Sequence, residues 1–191
     1  MHRKEYWKQF ENLPMVILLE GDIASQDTDA IVNATTKNFE MAGGVDTAIT
    51  LAAGPELKEE CKQYGGLETS QVIITKGYRL AAPYVIHTVG PIFGQEGGNE
   101  AELLFACYRN CLWLADQYQL TSISFPCIST GISRYPVDKA SQIMARAIGS
   151  YFFDPQFAGS LLTEIRCLLY SADKCVIAEP IFDEIYNRND C

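Results

Sequence analysis

The stretch SFPCISTGISRYP, residues 124–136, decides the fold that we predict for this chain. Apolar β-forming residues, among them Ile123 and Phe125, precede a short loop of small residues, Ser129-Thr130-Gly131-Ile132, and a helical pattern begins near Pro136. A strand, a small-residue loop and a helix in succession aim backbone N–H groups and a positive helix end at an anion. Glycine in such a loop lets the backbone approach a ligand closely. On this stretch alone, an ordinary strand-to-helix turn remains the alternative.

The rest of the chain alternates between strand and helix patterns. Strands are predicted at 15–20, 29–33, 72–75, 84–89, 122–125 and 165–170, and helices at 45–53, 55–64, 100–118, 137–153 and 176–186. Residues 1–14 mix charged and aromatic side chains and are expected to form an N-terminal arm or short helix. The alternation predicts a single domain over residues 1–191, a three-layer α/β/α fold with a mixed, largely parallel central sheet. Ligands of such sheets bind at the carboxyl ends of the strands.

A second glycine-containing loop lies far upstream of the first. Gly43-Gly44 follows the strand at 29–33 and a polar loop, and a helical pattern opens at Val45. Glycines that open a helix after a strand make a second candidate cradle for a phosphate. Both loops are expected at the same edge of the sheet.

Composition limits the partners of the chain. The 191 residues carry a net charge of −9, which argues against broad neutralisation of nucleic-acid phosphates. A small anion would have to be held by backbone amides and helix ends rather than by a Lys/Arg cluster. There is no apolar run of membrane-spanning length and no apolar signal core near the N-terminus. We therefore expect a cytoplasmic protein with no membrane partner.

The seven cysteines are scattered, without a CxxC pair. Cys107 and Cys111 lie one helical turn apart, but no His or acidic residue completes a metal-binding set there. The cysteines are expected to be reduced core thiols. We predict no metal site and no cofactor.

Seven short motifs occur in a fixed order along the chain. They are GDI at 21–23, DAIVNA at 29–34, GGVD at 43–46, AAG at 52–54, GY at 77–78, VIHTVGP at 85–91, and STGI at 129–132 with Tyr135-Pro136. Together they resemble the macrodomain family, and within it the MacroD-type branch, over about residues 15–186.

The resemblance implies a pocket for ADP-ribose. Asp22 would accept a hydrogen bond from the adenine amino group, the two glycine-containing loops would close on the diphosphate, and Tyr170 would stack on adenine. Without the resemblance, a turn or capping role is the favoured interpretation of Asp22. For Tyr170, a half-buried aromatic at a strand end is an equal alternative. The implied ligand-binding residues are Asp22, Ile23, Ala34, Gly43, Gly44, Val45, Ser129, Thr130, Gly131, Ile132, Ser133, Arg134 and Tyr170.

The resemblance also implies a catalytic group of Asn33, Thr36 and Asp46 beside the distal ribose. Asp46 would activate or orient the hydrolytic water. Its alternative role is that of an acidic residue in a first helical turn, where the helix dipole stabilises a carboxylate. His87 lies within a strand and is interpreted as a hydrogen-bonded core histidine rather than a catalytic one.

Three departures from the family pattern fall at the reacting end of the pocket. Thr36 stands where the branch usually has a second Asn, so the reach and second donor of an amide are lost. Met41-Ala42 replaces two glycines, which is expected to restrict the loop and crowd the distal ribose. Ser133-Arg134 replaces an aromatic residue and a glycine, which is expected to open the pocket mouth. Arg134 could then reach a phosphate or an acidic modified protein.

Three functions from different classes remain. The first is a hydrolase that removes mono-ADP-ribose from acidic side chains, with possible deacetylation of O-acetyl-ADP-ribose. The second is a reader module that binds ADP-ribosylated proteins without turnover. The third, a protein that binds another nucleotide or a nucleic acid, is disfavoured by the charge of −9 and the missing P-loop lysine. The expected partners are ADP-ribose and ADP-ribosylated proteins.

Overall fold

The structure, a computed structural model, describes residues 2–7, 12–41, 43–157 and 159–187. Its strands are β1 Arg3–Tyr6, β2 Met15–Glu20, β3 Ala30–Thr35, β4 Val72–Lys76, β5 Tyr84–Val89, β6 Ser122–Pro126 and β7 Glu164–Leu169. Its α-helices are α1 Gly43–Ala53, α2 Pro55–Lys62, α3 Glu100–Gln117, α4 Val137–Phe153 and α5 Ala172–Tyr186. Short 3₁₀ helices occur at Ile23–Ser25 and Pro155–Phe157.

The seven strands form one mixed sheet in the order β1-β2-β7-β6-β3-β5-β4. The five central strands pair in parallel, and the two edge strands, β1 and β4, run antiparallel to their neighbours. Parallel strands need crossover connections, and here the helices supply them. The predicted three-layer α/β/α fold with a largely parallel sheet is confirmed.

Both faces of the sheet are covered, which explains why strand β2 has a continuous apolar sequence. Val16 and Leu18 belong to a large core under α3, α4 and α5. Ile17 and Leu19, which point the opposite way, belong to a smaller core with residues of α1 and α2. All four side chains are buried, so alternate residues of this one strand contribute to two different cores.

The same alternation sets the direction of two polar side chains on β3. Ile31 faces the smaller core beneath α1, and Ala30 and Val32 face the larger one. Asn33 and Thr35 follow Ile31 at two-residue steps, so they face α1 as well. Because the five central strands are parallel, their carboxyl ends meet at one edge of the sheet, where the loops after β3 and β6 lie together.

Two sequence predictions need correction. Arg3–Tyr6 is an edge strand paired with β2, not a short helix; its mixed charged and aromatic sequence lacks the apolar run that identified the buried strands. Residues 8–11 of the predicted arm lie outside the described residues. Helix α5 begins at Ala172, four residues before the predicted start. Only Cys175 of its first four residues is buried, so this turn shows no apolar periodicity.

The six described cysteines are free thiols, and all but Cys127 are buried. Burial raises the pKa of Cys107 to about 12 and that of Cys127 to about 11. The predicted core location is confirmed for the five buried cysteines, and Cys191 lies outside the described residues. Over the described ranges, no cluster of His, Cys, Asp or Glu is arranged to hold a metal ion. In the same ranges no helix is long and apolar enough to cross a membrane.

Candidate functional site

The conformation of the loop from β6 to α4 is fixed by hydrogen bonds within the loop. Ser129 has a left-handed backbone (φ +67°), and its carbonyl accepts the N–H of Tyr135 at 2.9 Å. The Thr130 hydroxyl donates to the Cys127 carbonyl at 2.7 Å, and the Arg134 N–H donates to the Gly131 carbonyl at 3.0 Å. These bonds fold the loop back on itself at the carboxyl end of β6.

The inner part of this loop presents unused donors. Within the described chain, the N–H groups of Gly131, Ile132 and Ser133 donate to no other group. The Ser129 hydroxyl is buried and likewise has no hydrogen-bond partner among the described residues. Several N–H groups and a hydroxyl at a strand end are what an anionic ligand requires when no Lys/Arg cluster is present.

The second glycine-containing segment touches the first loop. Gly43 (φ +84°) and Gly44 are the first two residues of α1, so their N–H groups belong to the helix start that lacks intrahelical acceptors. A Cβ placed on Gly43 would lie 3.7 Å from Ile132 Cγ1, whereas one on Gly44 would have no neighbour within 4 Å. Gly43 and Ile132 are 89 positions apart in the sequence, and the two loops nevertheless lie side by side as expected.

Asp46 lies one helical turn after Gly43 and points into the protein. Its side chain is buried, and its two carboxylate oxygens accept hydrogen bonds from two residues of β3. Asn33 Nδ2 donates to Oδ1 at 2.7 Å, and the Thr35 hydroxyl donates to Oδ2 at 3.0 Å. Two donors on one face of one strand thus fix the orientation of the carboxylate.

A buried histidine completes this polar group. His87 Nδ1 lies 3.2 Å from Asn33 Nδ2, and His87 Nε2 lies 2.9 Å from the Thr75 hydroxyl. Because the amide nitrogen of Asn33 also faces the Asp46 carboxylate, it is a donor to both groups. His87 Nδ1 is then the acceptor, and Nε2 carries the proton and donates to Thr75. Burial lowers the pKa of His87 to about 3, so the ring stays neutral. The interpretation of His87 as a hydrogen-bonded core residue is confirmed.

Asp46 and Asn33 border a small cavity beneath the loop that connects β3 to α1. Its walls also include Phe39, Met41 and Lys58. The cavity volume is about 10 Å³, near the minimum that one water molecule requires. Asn33 Oδ1 is buried without a partner in the described chain, which leaves an acceptor beside the carboxylate.

Two of the predicted polar residues are engaged in local structure. The Thr36 hydroxyl donates to the Glu40 carbonyl and accepts the Glu40 N–H, both at 2.9 Å, and so closes the loop after β3. Asp22 caps the short 3₁₀ helix, because its Oδ1 accepts the N–H of Ala24 at 2.9 Å. Asp22 is nevertheless exposed, so the capping and the ligand-binding roles are compatible.

The remaining predicted residues surround the same edge of the sheet. Tyr170 directly follows β7 and is 81% exposed, so the alternative of a half-buried aromatic is wrong. Ile23 is buried, Ala34 and Val45 are half-buried, and Arg134 is exposed with a left-handed backbone (φ +55°). Of the two residues that replace the glycines, Met41 is exposed and Ala42 lies outside the described residues.

Three residues at this edge were missed by sequence reasoning. Thr35 was passed over, although its two-residue spacing from Asn33 places both on one strand face. Gly90, within the VIHTVGP motif, allows the loops to pack, because a Cβ there would overlap the Ser129 hydroxyl and lie 2.6 Å from Ile128 Cγ2. Phe93 donates its N–H to the Ser133 carbonyl at 3.0 Å, and its ring packs on Tyr135. Phe93 therefore packs beside Ser133 and Tyr135, in the segment where the sequence predicted a more open pocket.

Comparison with known proteins identifies the family. The family model described as Macro domain matches residues 32–144. A macro domain-containing protein of Chlorobaculum tepidum is 49% identical over 142 residues, which are 73% of this chain and 81% of that protein. The ADP-ribose glycohydrolase MACROD1 of Bos taurus is 43% identical over 176 residues, 92% of this chain and 54% of that protein.

Solved structures agree with the sequence comparison. A variant of the Oceanobacillus iheyensis macrodomain, solved with ADPR, superposes with a TM-score of 0.88 at 34% identity and covers 98% of this chain and 100% of its own. The matched segment contains both contacting loops and the buried Asn33–Asp46 pair. The chain belongs to the macro domain family.

Proposed function

We propose that this chain binds ADP-ribose at the edge of the sheet where the two loops meet, and that it hydrolyses mono-ADP-ribose from modified protein side chains. The observation that supports this most directly is the position of Asp46. Its carboxylate is held in a fixed orientation one turn after Gly43, which lies beside Ile132 of the other loop. Deacetylation of O-acetyl-ADP-ribose would use the same site.

Binding of the diphosphate is supported by the unused N–H groups of the Ser129–Ile132 loop and by the helix start at Gly43. These groups carry no formal charge, which suits a protein with a net charge of −9 that binds a small dianion. Asp22 and the exposed ring of Tyr170 would contact adenine at the ends of β2 and β7. The positively charged side chain of Arg134 lies in the loop between β6 and α4, two residues after Ile132.

Hydrolysis is supported by the chemistry of an oriented carboxylate. A carboxylate can accept a proton from water as the water attacks the anomeric carbon and the bond from that carbon to the modified side-chain oxygen breaks, which releases the side-chain carboxylate. A positioned base of this kind contributes about 10²–10⁴-fold to a rate. Fixing its orientation keeps the reacting groups aligned. Asn33 touches Asp46 through its amide nitrogen, so we assign Asn33 to positioning the carboxylate.

A reader module without turnover is the second candidate, and one observation favours it. The Thr36 hydroxyl is occupied by both backbone groups of Glu40, so it is not free to bind a ribose hydroxyl while that loop keeps its shape. If Thr36 is needed for turnover but not for binding, the chain would bind ADP-ribose and release nothing.

Binding is tested first, by isothermal titration of the chain with ADP-ribose, ADP and AMP. We expect saturable binding of ADP-ribose and weaker binding of AMP, which lacks the diphosphate. Absence of saturable binding of ADP-ribose would refute both candidate functions.

Turnover is tested by the time course of ADP-ribose release from a protein mono-ADP-ribosylated on carboxylates. Asp46→Asn should reduce release by about 100-fold or more while ADP-ribose binding persists. Glu102→Ala is the matched control, because Glu102 is an exposed acidic residue in the first turn of α3. Binding without release in the unmodified chain would favour the reader.

A further inference from the structure

Thr35 makes a contact that reaches Asp46 directly. Thr35 is the last residue of β3, its side chain is buried, and its hydroxyl donates to Asp46 Oδ2 at 3.0 Å. Asn33, two residues earlier on the same face of the strand, donates to the other oxygen. Two hydrogen-bond donors on the same strand therefore bind the carboxylate from one side.

We propose that Thr35 is a positioning residue for Asp46, and that its hydroxyl both orients the carboxylate and keeps it ionised to lower pH. The proposal rests on the proposed hydrolase function of Asp46. A hydrogen bond donated to a carboxylate favours the charged form, so loss of the donor makes the carboxylate hold its proton more tightly. Thr35 itself would touch neither substrate nor water.

Among the described residues, two titratable groups that face Asp46, His87 and Cys61, keep their charge state across the pH range of the test. His87 on β5 stays neutral, because burial lowers its pKa to about 3. Cys61 on α2 stays a thiol, because burial, with smaller contributions from the charges of Glu60 and Asp46, raises its pKa to about 12. Lys58, also on α2, borders the cavity. A displacement of the acid limb by substitution of Thr35 would therefore not arise from titration of His87 or Cys61.

Two substitutions of Thr35 separate the role of its hydroxyl from that of its methyl group. Thr35→Val keeps the branched shape and removes the hydroxyl, whereas Thr35→Ser keeps the hydroxyl and removes the methyl group. A role in packing alone predicts that Val resembles the wild type and that Ser is the more disturbed variant. A role in positioning predicts the reverse.

The test is the pH dependence of ADP-ribose release from pH 4.5 to pH 8. In Thr35→Val we expect the acid limb to move up by about one pH unit and the maximal rate to fall, with KM little changed. Thr35→Ser should restore the wild-type limb. Coincident acid limbs for Val and wild type, or an equal shift in Val and Ser, would overturn the proposal.

A second measurement keeps the proposal testable if the wild-type chain releases no ADP-ribose. The carboxyl ¹³C resonance of Asp46, assigned by its loss in Asp46→Asn, is followed by NMR during a pH titration of the free protein. A midpoint at higher pH in Thr35→Val than in wild type and Thr35→Ser would support the contact even if the hydrolase function fails. Equal midpoints in all three proteins would refute it.

Discussion

His87 makes the folding stability of this protein depend on pH in a way that one substitution can isolate. The ring is buried between Asn33 and Thr75 and remains neutral in the folded state, since burial lowers its pKa from 6.5 to about 3. In the unfolded chain the same ring takes up a proton near pH 6.5. Between these two values the unfolded state binds more protons than the folded state. Stability therefore rises with pH across this window, and it is lost as pH falls from 6.5 toward 3.

The size of the effect follows from the two pKa values. At pH 7 the unfolded ring is mostly neutral, so His87 contributes little to the pH dependence. At pH 5 the unfolded ring is almost fully protonated and the folded ring is not. The free energy of unfolding should fall by about 2 kcal/mol between pH 7 and pH 5 from this residue alone.

Urea unfolding of wild type and His87→Gln at pH 7 and pH 5 measures this contribution. The amide of Gln does not titrate, so the variant, although less stable at pH 7, should lose about 2 kcal/mol less than wild type between the two pH values. If wild type and His87→Gln lose the same free energy, His87 does not remain neutral in the folded state.

Three further substitutions test the packing and the rim of the site. Gly77→Ala should lower the free energy of unfolding by roughly 2 kcal/mol or more in urea titrations, because its Cβ would overlap a backbone carbonyl; Gly44→Ala, with no neighbour within 4 Å, is the control. Gly90→Ala should push the Ser129 hydroxyl aside and weaken ADP-ribose binding by about tenfold in calorimetry, and unchanged affinity would contradict the contact. Tyr170→Ala should weaken the affinity for ADP-ribose by about tenfold in calorimetry, because stacking on adenine is lost. The melting temperature should not change, because the ring is 81% exposed.

Much of the fold was predictable because buried parallel strands have long apolar sequences. Met15–Glu20 and Tyr84–Val89 were identified from such runs, and the structure gives them the same bounds. Strand β1 was missed for the opposite reason: it lies at the edge of the sheet, and its pairing with β2 rather than its own sequence makes it a strand. The local sequence pattern therefore identifies a strand that is buried on both faces. It fails for an edge strand that forms only through pairing with its neighbour.

The site was predictable only in part. The two glycine-containing loops carry short sequence signals, and the position of Ile132, 3.7 Å from where a Cβ on Gly43 would lie, bears out their expected proximity. The contact from Thr35 to Asp46 has no such signal, because it depends on the direction of a strand face and on the placement of the helix that carries Asp46, 11 residues after Thr35. The engagement of Thr36 with Glu40 is likewise a property of the folded loop and not of the residue type.

Burial distinguishes Asp46 from an acidic residue that merely stabilises a helix start. Other acidic residues in first helical turns, such as Glu56, Asp138 and Asp173, are exposed, and at the surface a carboxylate interacts with the helix dipole at little cost. Among the first-turn acidic residues that the structure describes, Asp46 alone is buried. Removing a carboxylate from water is costly unless donors compensate, and here two donors on β3 are committed to it. An exposed acid would stabilise the helix start as well, so the buried arrangement favours a chemical role for this carboxylate over a purely structural one.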